Sequence, residues 1–300
     1  MALFTSILLL ILVLMNHWME NESYPHWFLQ YDEVFHPKVN ADVIILGASH
    51  ATHGINPKYL ESDHLKIYNF SLNGANPSFN LKWYKKIFRP YYRRPSHVIY
   101  GVHWVMFDSH FLKRQFEQDS RYFPFLFFVR EMGDLKTLGS LLLNRFAFVR
   151  ERKQLVPRLV HLFQRRDREV FPRSGYYRGF IPFETRRSLE KEVMNPKIED
   201  SQLRAFEKLL DEFERDGVKI IFVQVPVYRY GFESATLSEN IRLLRRIAEK
   251  RGIPFLDYEM ERSSPINTDA TLFSDSAHLN GRGSEAFSKL LKRDLDPLLN

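Results

Sequence analysis

Apolar residues along this chain fall into short unbroken runs, separated by longer stretches in which they recur at helical spacing. Val43-Ile44-Ile45-Leu46 carries no polar interruption, as expected of a parallel strand buried on both faces. Similar runs follow at Lys66 to Leu72, His97 to Val102, Val218 to Val225 and, more briefly, Pro254 to Leu256. Between them, Ser78 to Phe88, Ser201 to Asp216, Leu237 to Arg251 and Ser284 to Leu295 have the spacing of amphipathic helices. Asn56 followed by Pro57 has the form of a helix start, with a side-chain cap and a proline at the first helical position. The strand–turn–helix rhythm predicts a three-layer α/β/α fold around a central parallel sheet. The third and fourth strands are separated by an insertion of over a hundred residues.

The amino terminus differs from the rest. Residues 1–19 contain no charged side chain, and a helix of that length nearly spans a hydrocarbon core of about 30 Å. No Lys or Arg precedes Lys38, and no small-residue cleavage site follows the apolar run, so the stretch reads as an uncleaved transmembrane anchor. Trp18 and Trp27 suit its interface. The expected organisation is an anchor over 1–19, a linker over 20–40 and a domain over 41–300 containing an inserted basic helical region, 108–200.

At 300 residues, 44% hydrophobic and 26% charged, the chain can bury a self-sufficient core. The absence of cysteine excludes disulfides, thiolate metal sites and cysteine nucleophiles. Net charge is +7, and its origin is local: Arg145 to Arg187 holds twelve Lys or Arg against four acidic residues. With Tyr176, Tyr177 and Phe180 nearby, such a segment suits an anionic glycan or lipid headgroups, or is a solvated helix face. No nucleic-acid recognition motif accompanies it, so nucleic acid is not expected as a partner. The run Phe123, Phe125, Phe127, Phe128 reads as core or as a membrane-facing patch.

Chemistry enters where the first run ends, in Gly47-Ala48-Ser49. Ligands of open α/β sheets bind at the carboxyl ends of the strands, and a glycine there lets the backbone turn and present a hydroxyl. A serine needs a base to become a nucleophile, and an imidazole base needs a carboxylate to fix its tautomer. Asp275 and His278, three residues apart before a Gly-rich turn, supply both from one short loop. His50 and His53 could join His278 and Asp275 as metal ligands. That reading leaves the serine unexplained, so no metal and no cofactor are expected.

The turn at Ser49, the segment Asn69-Phe70-Ser71-Leu72-Asn73-Gly74-Ala75 and the terminal Asp275-Ser276-Ala277-His278-Leu279-Asn280 together resemble the SGNH (GDSL-like) hydrolase superfamily. The likeness is greatest to its membrane-anchored members in alginate O-acetylation and D-alanyl-lipoteichoic acid transfer. It covers about residues 42–104 and 217–295. It implies a flavodoxin-like fold, Ser49 as nucleophile, His278 as base and Asp275 as its partner. Oxyanion donors would be the Ser49 and Gly74 N–H groups. The family's asparagine falls on His103, so that His103 or Asn76 would supply the remaining donor. The resemblance further implies O-acyl transfer to, or removal from, an anionic or neutral extracytoplasmic polysaccharide, with a membrane protein as acyl donor. The alternative is a catalytically inactive relative that binds polysaccharide or supports its assembly.

Overall fold

The computed structural model describes residues 2–21, 33–35, 40–109, 177–183, 189, 196–231, 235–259 and 265–299. Most of the basic segment, the Phe-rich run and Trp27 lie outside them. The chain divides into two units, Met1–Tyr31 with Arg114–Arg173, and Asp32–Lys113 with Ser174–Asn300.

The described part of the first unit is a helix, α1 (Ala2–Asn21). Phe4, Ile7 to Ile11, Val13 and Leu14 are exposed on it, Phe4 at 71% and Val13 at 62%. The helix falls where the anchor is expected, but a membrane span is not supported. Among the described residues no helix is long and apolar enough to cross a membrane. Thr5 and Ser6 on one side and Asn16 and His17 on the other leave Ile7 to Met15 as the uninterrupted apolar run, a rise of only about 14 Å.

The second unit is built on a five-stranded, all-parallel sheet in the order β2-β1-β3-β4-β5. The strands are β1 (Val43–Gly47), β2 (Ile67–Asn69), β3 (His97–Val102), β4 (Lys219–Gln224) and β5 (Phe255–Asp257). The helices are α2 (Ser49–Gly54), α3 (Pro77–Trp83), α4 (Asp200–Arg215), α5 (Ala235–Arg251) and α6 (Gly281–Leu299). Every strand segment expected from the sequence is present. β2 is shorter than expected because its backbone leaves regular pairing after Asn69, although the Phe70 N–H still donates to the Ile45 carbonyl at 2.8 Å.

Alternate residues of each strand face opposite layers. Val43, Ile45, Ile99, Ile221, Val223 and Leu256 pack with Ile55, Phe287, Leu291 and Leu295 on the α2 and α6 side. Tyr100 and Phe222 face the other way, where the Phe206 ring of α4 meets them at 5.3 and 5.5 Å. α3 continues past Trp83 through a π-helical turn at Tyr84–Phe88 and a last turn at Arg89–Tyr91. Pro90 cannot donate to that ladder, and Tyr92 is extended. The expected helix start at Asn56 is a single 3-10 turn, Pro57–Tyr59, with the Asn56 side chain accepting from the Lys58 N–H. In this strand order the topological switch point lies between β1 and β3, and open α/β sheets bind ligands in the crevice at the carboxyl ends of the strands on either side of such a point.

Candidate active site

Ser49 opens α2 directly above the end of β1. Space for it comes from two glycines in register, Gly47 and Gly101. Gly47 sits at φ +147°, and a Cβ there would lie 2.8 Å from the Gly101 carbonyl oxygen. A Cβ on Gly101 would come within 2.6 Å of the Ala51 Cβ. Small residues therefore let α2 begin against the strand ends. Asn69, at the tip of β2, holds α2 in place by donating its amide to the Ala51 and Ile55 carbonyls at 2.8 and 2.9 Å.

His278 and Asp275 arrive on a turn closed by the Ser274 N–H donating to the His278 carbonyl at 2.9 Å. Asp275 Oδ1 accepts from the backbone N–H groups of Ala277 and His278 at 2.9 and 2.8 Å. The same oxygen lies 2.8 Å from His278 Nδ1, and His278 Nε2 lies 2.8 Å from Ser49 Oγ. Burial pushes the Asp275 carboxyl up, but its bonds to the imidazole and the two N–H groups outweigh this and hold it below the usual aspartate value. With Asp275 ionised, Nδ1 carries the imidazole proton and Nε2 is free to accept from the serine hydroxyl. Two segments 229 residues apart thus share one chain of hydrogen bonds.

Three further imidazoles surround this chain. His50 and His103 lie ring against ring at 3.3 Å, His50 is 4.7 Å from His278, and His53 is 6.0 Å from it. All three are buried. Burial first, then the charge on His278, lowers His53 to about 3 and His103 well below the ordinary value. For His50, burial is followed by His103, His278 and His53, again in the lowering direction. His103 Nδ1 accepts from the Val105 N–H at 3.2 Å, which puts its proton on Nε2. That buried Nε2 has no partner among the described residues, and neither has the Asn76 amide nitrogen. Asn76 uses its other side-chain atom to cap α3, accepting from the Phe79 N–H at 3.0 Å. Gly74, at φ +70°, lies on the same loop after β2. Among the described residues no three His, Cys, Asp or Glu side chains are grouped to hold a metal ion.

Every site residue expected from the sequence is thus placed at the carboxyl edge of the sheet. Nothing in the sequence marks Asn69 as a brace, nor Phe183, whose ring stacks on His278 at 5.5 Å and 15°. The sequence's only available signal for His53 was the HxxH spacing, which pointed to metal chemistry. His53 Nδ1 instead donates to the Ile181 carbonyl at 2.8 Å.

No protein-family model and no curated protein matches this chain. Solved structures similar to it include a candidate acylhydrolase from Bacteroides fragilis NCTC 9343, at 12% identity and a TM-score of 0.45 over 93% of this chain and 100% of that one. Another is described as a candidate platelet activating factor from Streptococcus pneumonia, at 10% identity and a TM-score of 0.47 over 97% and 99%. A third is a GDSL-like lipase from Bacteroides thetaiotaomicron VPI-5482, at 11% identity and a TM-score of 0.44 over 91% and 99%. Likeness at this level carries no functional weight.

Proposed function

We propose that this chain is a serine acyl-ester enzyme of SGNH type, acting by O-acyl transfer to, or removal from, an extracytoplasmic polysaccharide. The observation that supports it is the unbroken relay from Ser49 Oγ through the His278 ring to Asp275, with 2.8 Å at both joints. In the reaction, Ser49 Oγ bonds to the ester carbonyl carbon while its proton passes to His278 Nε2. Asp275 stabilises the imidazolium that results. The carbon–alkoxide bond then breaks, Nε2 returns the proton to the leaving oxygen, and the acyl group stays on Ser49. Water or a sugar hydroxyl reverses these steps. Charge on the carbonyl oxygen is met by the Ser49 and Gly74 N–H groups, with Asn76 Nδ2 and His103 Nε2 as side-chain donors. Neither a metal nor an organic cofactor is required.

The exposed apolar face of α1 supports attachment to a membrane, with Phe4 to Met15 entering the interfacial region. The polysaccharide, the extracytoplasmic location and a membrane acyl-donor protein rest on the family resemblance. A fluorophosphonate probe applied to fractionated cells tests the nucleophile and the attachment together. Wild type should be labelled in the membrane fraction, Ser49→Ala should be unlabelled with an unchanged circular dichroism spectrum, and deletion of residues 2–21 should release a labelled protein. Equal labelling of Ser49→Ala would sink the nucleophile assignment, and membrane retention without α1 would sink the attachment. A binding protein without turnover would instead show glycan affinity and no labelling. Incubation with an activated acetyl ester and candidate glycans separates hydrolase from transferase by the product formed.

A further inference from the structure

Residues 177–183 run beside the active site and are tied to β2, to α2 and to the loop that carries Asp275 and His278. At one end, the Tyr177 hydroxyl donates to Glu61 at 2.6 Å, and the Arg178 guanidinium pairs with the same carboxylate. The Arg178 carbonyl accepts from the Asn69 N–H at 2.9 Å, on the outer edge of β2. Gly179, at φ +83°, passes so close to Asn69 that a Cβ would fall 1.7 Å from its carbonyl oxygen. In the middle, the Ile181 carbonyl accepts from His53 of α2, four residues beyond Ser49. At the other end, the Phe183 carbonyl accepts from the Ser274 hydroxyl at 2.6 Å, one residue before Asp275. The Phe183 ring then stacks on His278 and meets His53 edge-on at 4.7 Å.

We infer that this segment is a clasp that holds the two halves of the relay in register, and that Phe183 is a positioning residue governing which hydroxyl reaches the acyl-enzyme. The inference rests on the acyl-enzyme reading above. His278 Nε2 must take a proton from the incoming oxygen, so whatever packs on its ring borders the route of the alcohol or water that attacks. The side chain of His278 is only 19% exposed. An aromatic plane on the imidazole restrains its rotation toward Ser49 and bars water from that side, which favours a bound alcohol over bulk solvent as acceptor. In the acceptor step the ester bond to Ser49 Oγ breaks and a bond to the acceptor oxygen forms. The acceptor's proton moves to Nε2 and then to Ser49, so nothing else is consumed.

The test uses the full chain with p-nitrophenyl acetate, glycerol as a competing alcohol, and separate quantification of acetate and acetylglycerol. Phe183→Ala should raise the share of acetate several-fold and lower kcat on the order of tenfold to a hundredfold, with KM little changed. Phe183→Tyr should restore the wild-type partition. Phe183→Leu keeps apolar bulk without the stacked plane and should give an intermediate value, which keeps the test open if the alanine variant fails to fold. An unchanged product ratio in folded Phe183 variants overturns the inference while leaving the acyl-enzyme intact. Absence of acetylation on wild-type Ser49 overturns the acyl-enzyme reading, and the clasp's role with it.

Discussion

Four histidines pack together at the carboxyl edge of the sheet, and they divide into two kinds by what each ring nitrogen meets. His278, on the loop after Ser274, has a carboxylate at one nitrogen and a hydroxyl at the other. His50, His53 and His103, on α2 and beyond β3, are buried against one another and against His278, and the His53 ring donates to a backbone carbonyl rather than to a carboxylate. Desolvation penalises a charged imidazole unless an anion offsets it. Among these four rings, His278 is the one with a carboxylate at hydrogen-bond distance to offset a charge, and burial disfavours protonation of its neighbours. Protonating any of them would place a like charge beside the base and weaken it.

The largest effect should come from erasing that distinction. Asp275→Asn leaves a similar shape but can no longer fix the Nδ1–H tautomer or stabilise the imidazolium, so acylation of Ser49 should slow by about 10³–10⁴-fold with little change in fold. Stopped-flow measurement of p-nitrophenol release checks it, and a loss under tenfold would mean that His278 does not act through Asp275.

The next effect tests whether a neutral imidazole serves as a donor. His103 Nε2–H is buried and has no partner among the described residues, an arrangement that costs stability unless a ligand oxygen uses it. His103→Ala should lower kcat about 10²-fold, the scale of losing one oxyanion donor, and His103→Asn should recover most of it. If His103→Ala keeps full kcat while Asn76→Ala loses it, the donor role belongs to Asn76 alone.

The two kinds of histidine were not equally legible in the sequence. His278 could be read because its partner is local: Asp275 is three residues away, and the turn that joins them is closed by backbone bonds within the same motif. Ser49 could be read because a buried strand running into Gly47 dictates both its place and its exposure. The parallel sheet was legible for the same reason, since its runs of apolar residues are contiguous. His53 could not be read. Its partner is the carbonyl of Ile181, 128 residues away in a basic segment whose spacing carries no such information. Phe183 was hidden likewise, being one aromatic among 26 phenylalanines until folding sets it on the imidazole. For α1 the sequence offers an uncharged apolar stretch, and a membrane span over it is not supported, since among the described residues no helix is long and apolar enough to cross a membrane.

The smallest effect concerns stability, and here the three neutral histidines act together. His53 is held to about 3 in the folded chain, against an ordinary value of 6.5, chiefly by burial. Between those values the unfolded chain binds a proton that the folded chain does not. The stabilisation is therefore fully present above about pH 6.5 and is lost as pH falls toward 3, at up to about 1.4 kcal/mol per pH unit for each such group. His50 and His103 add in the same direction. Urea midpoints should consequently fall as wild type is taken from about pH 7 to about pH 5. His53→Gln, whose amide can still donate to the Ile181 carbonyl, should flatten that fall by removing one titrating ring. An identical slope in wild type and variant would mean that His53 accepts a proton in the folded state. It would then belong with His278, and the division between the two kinds of histidine would fail.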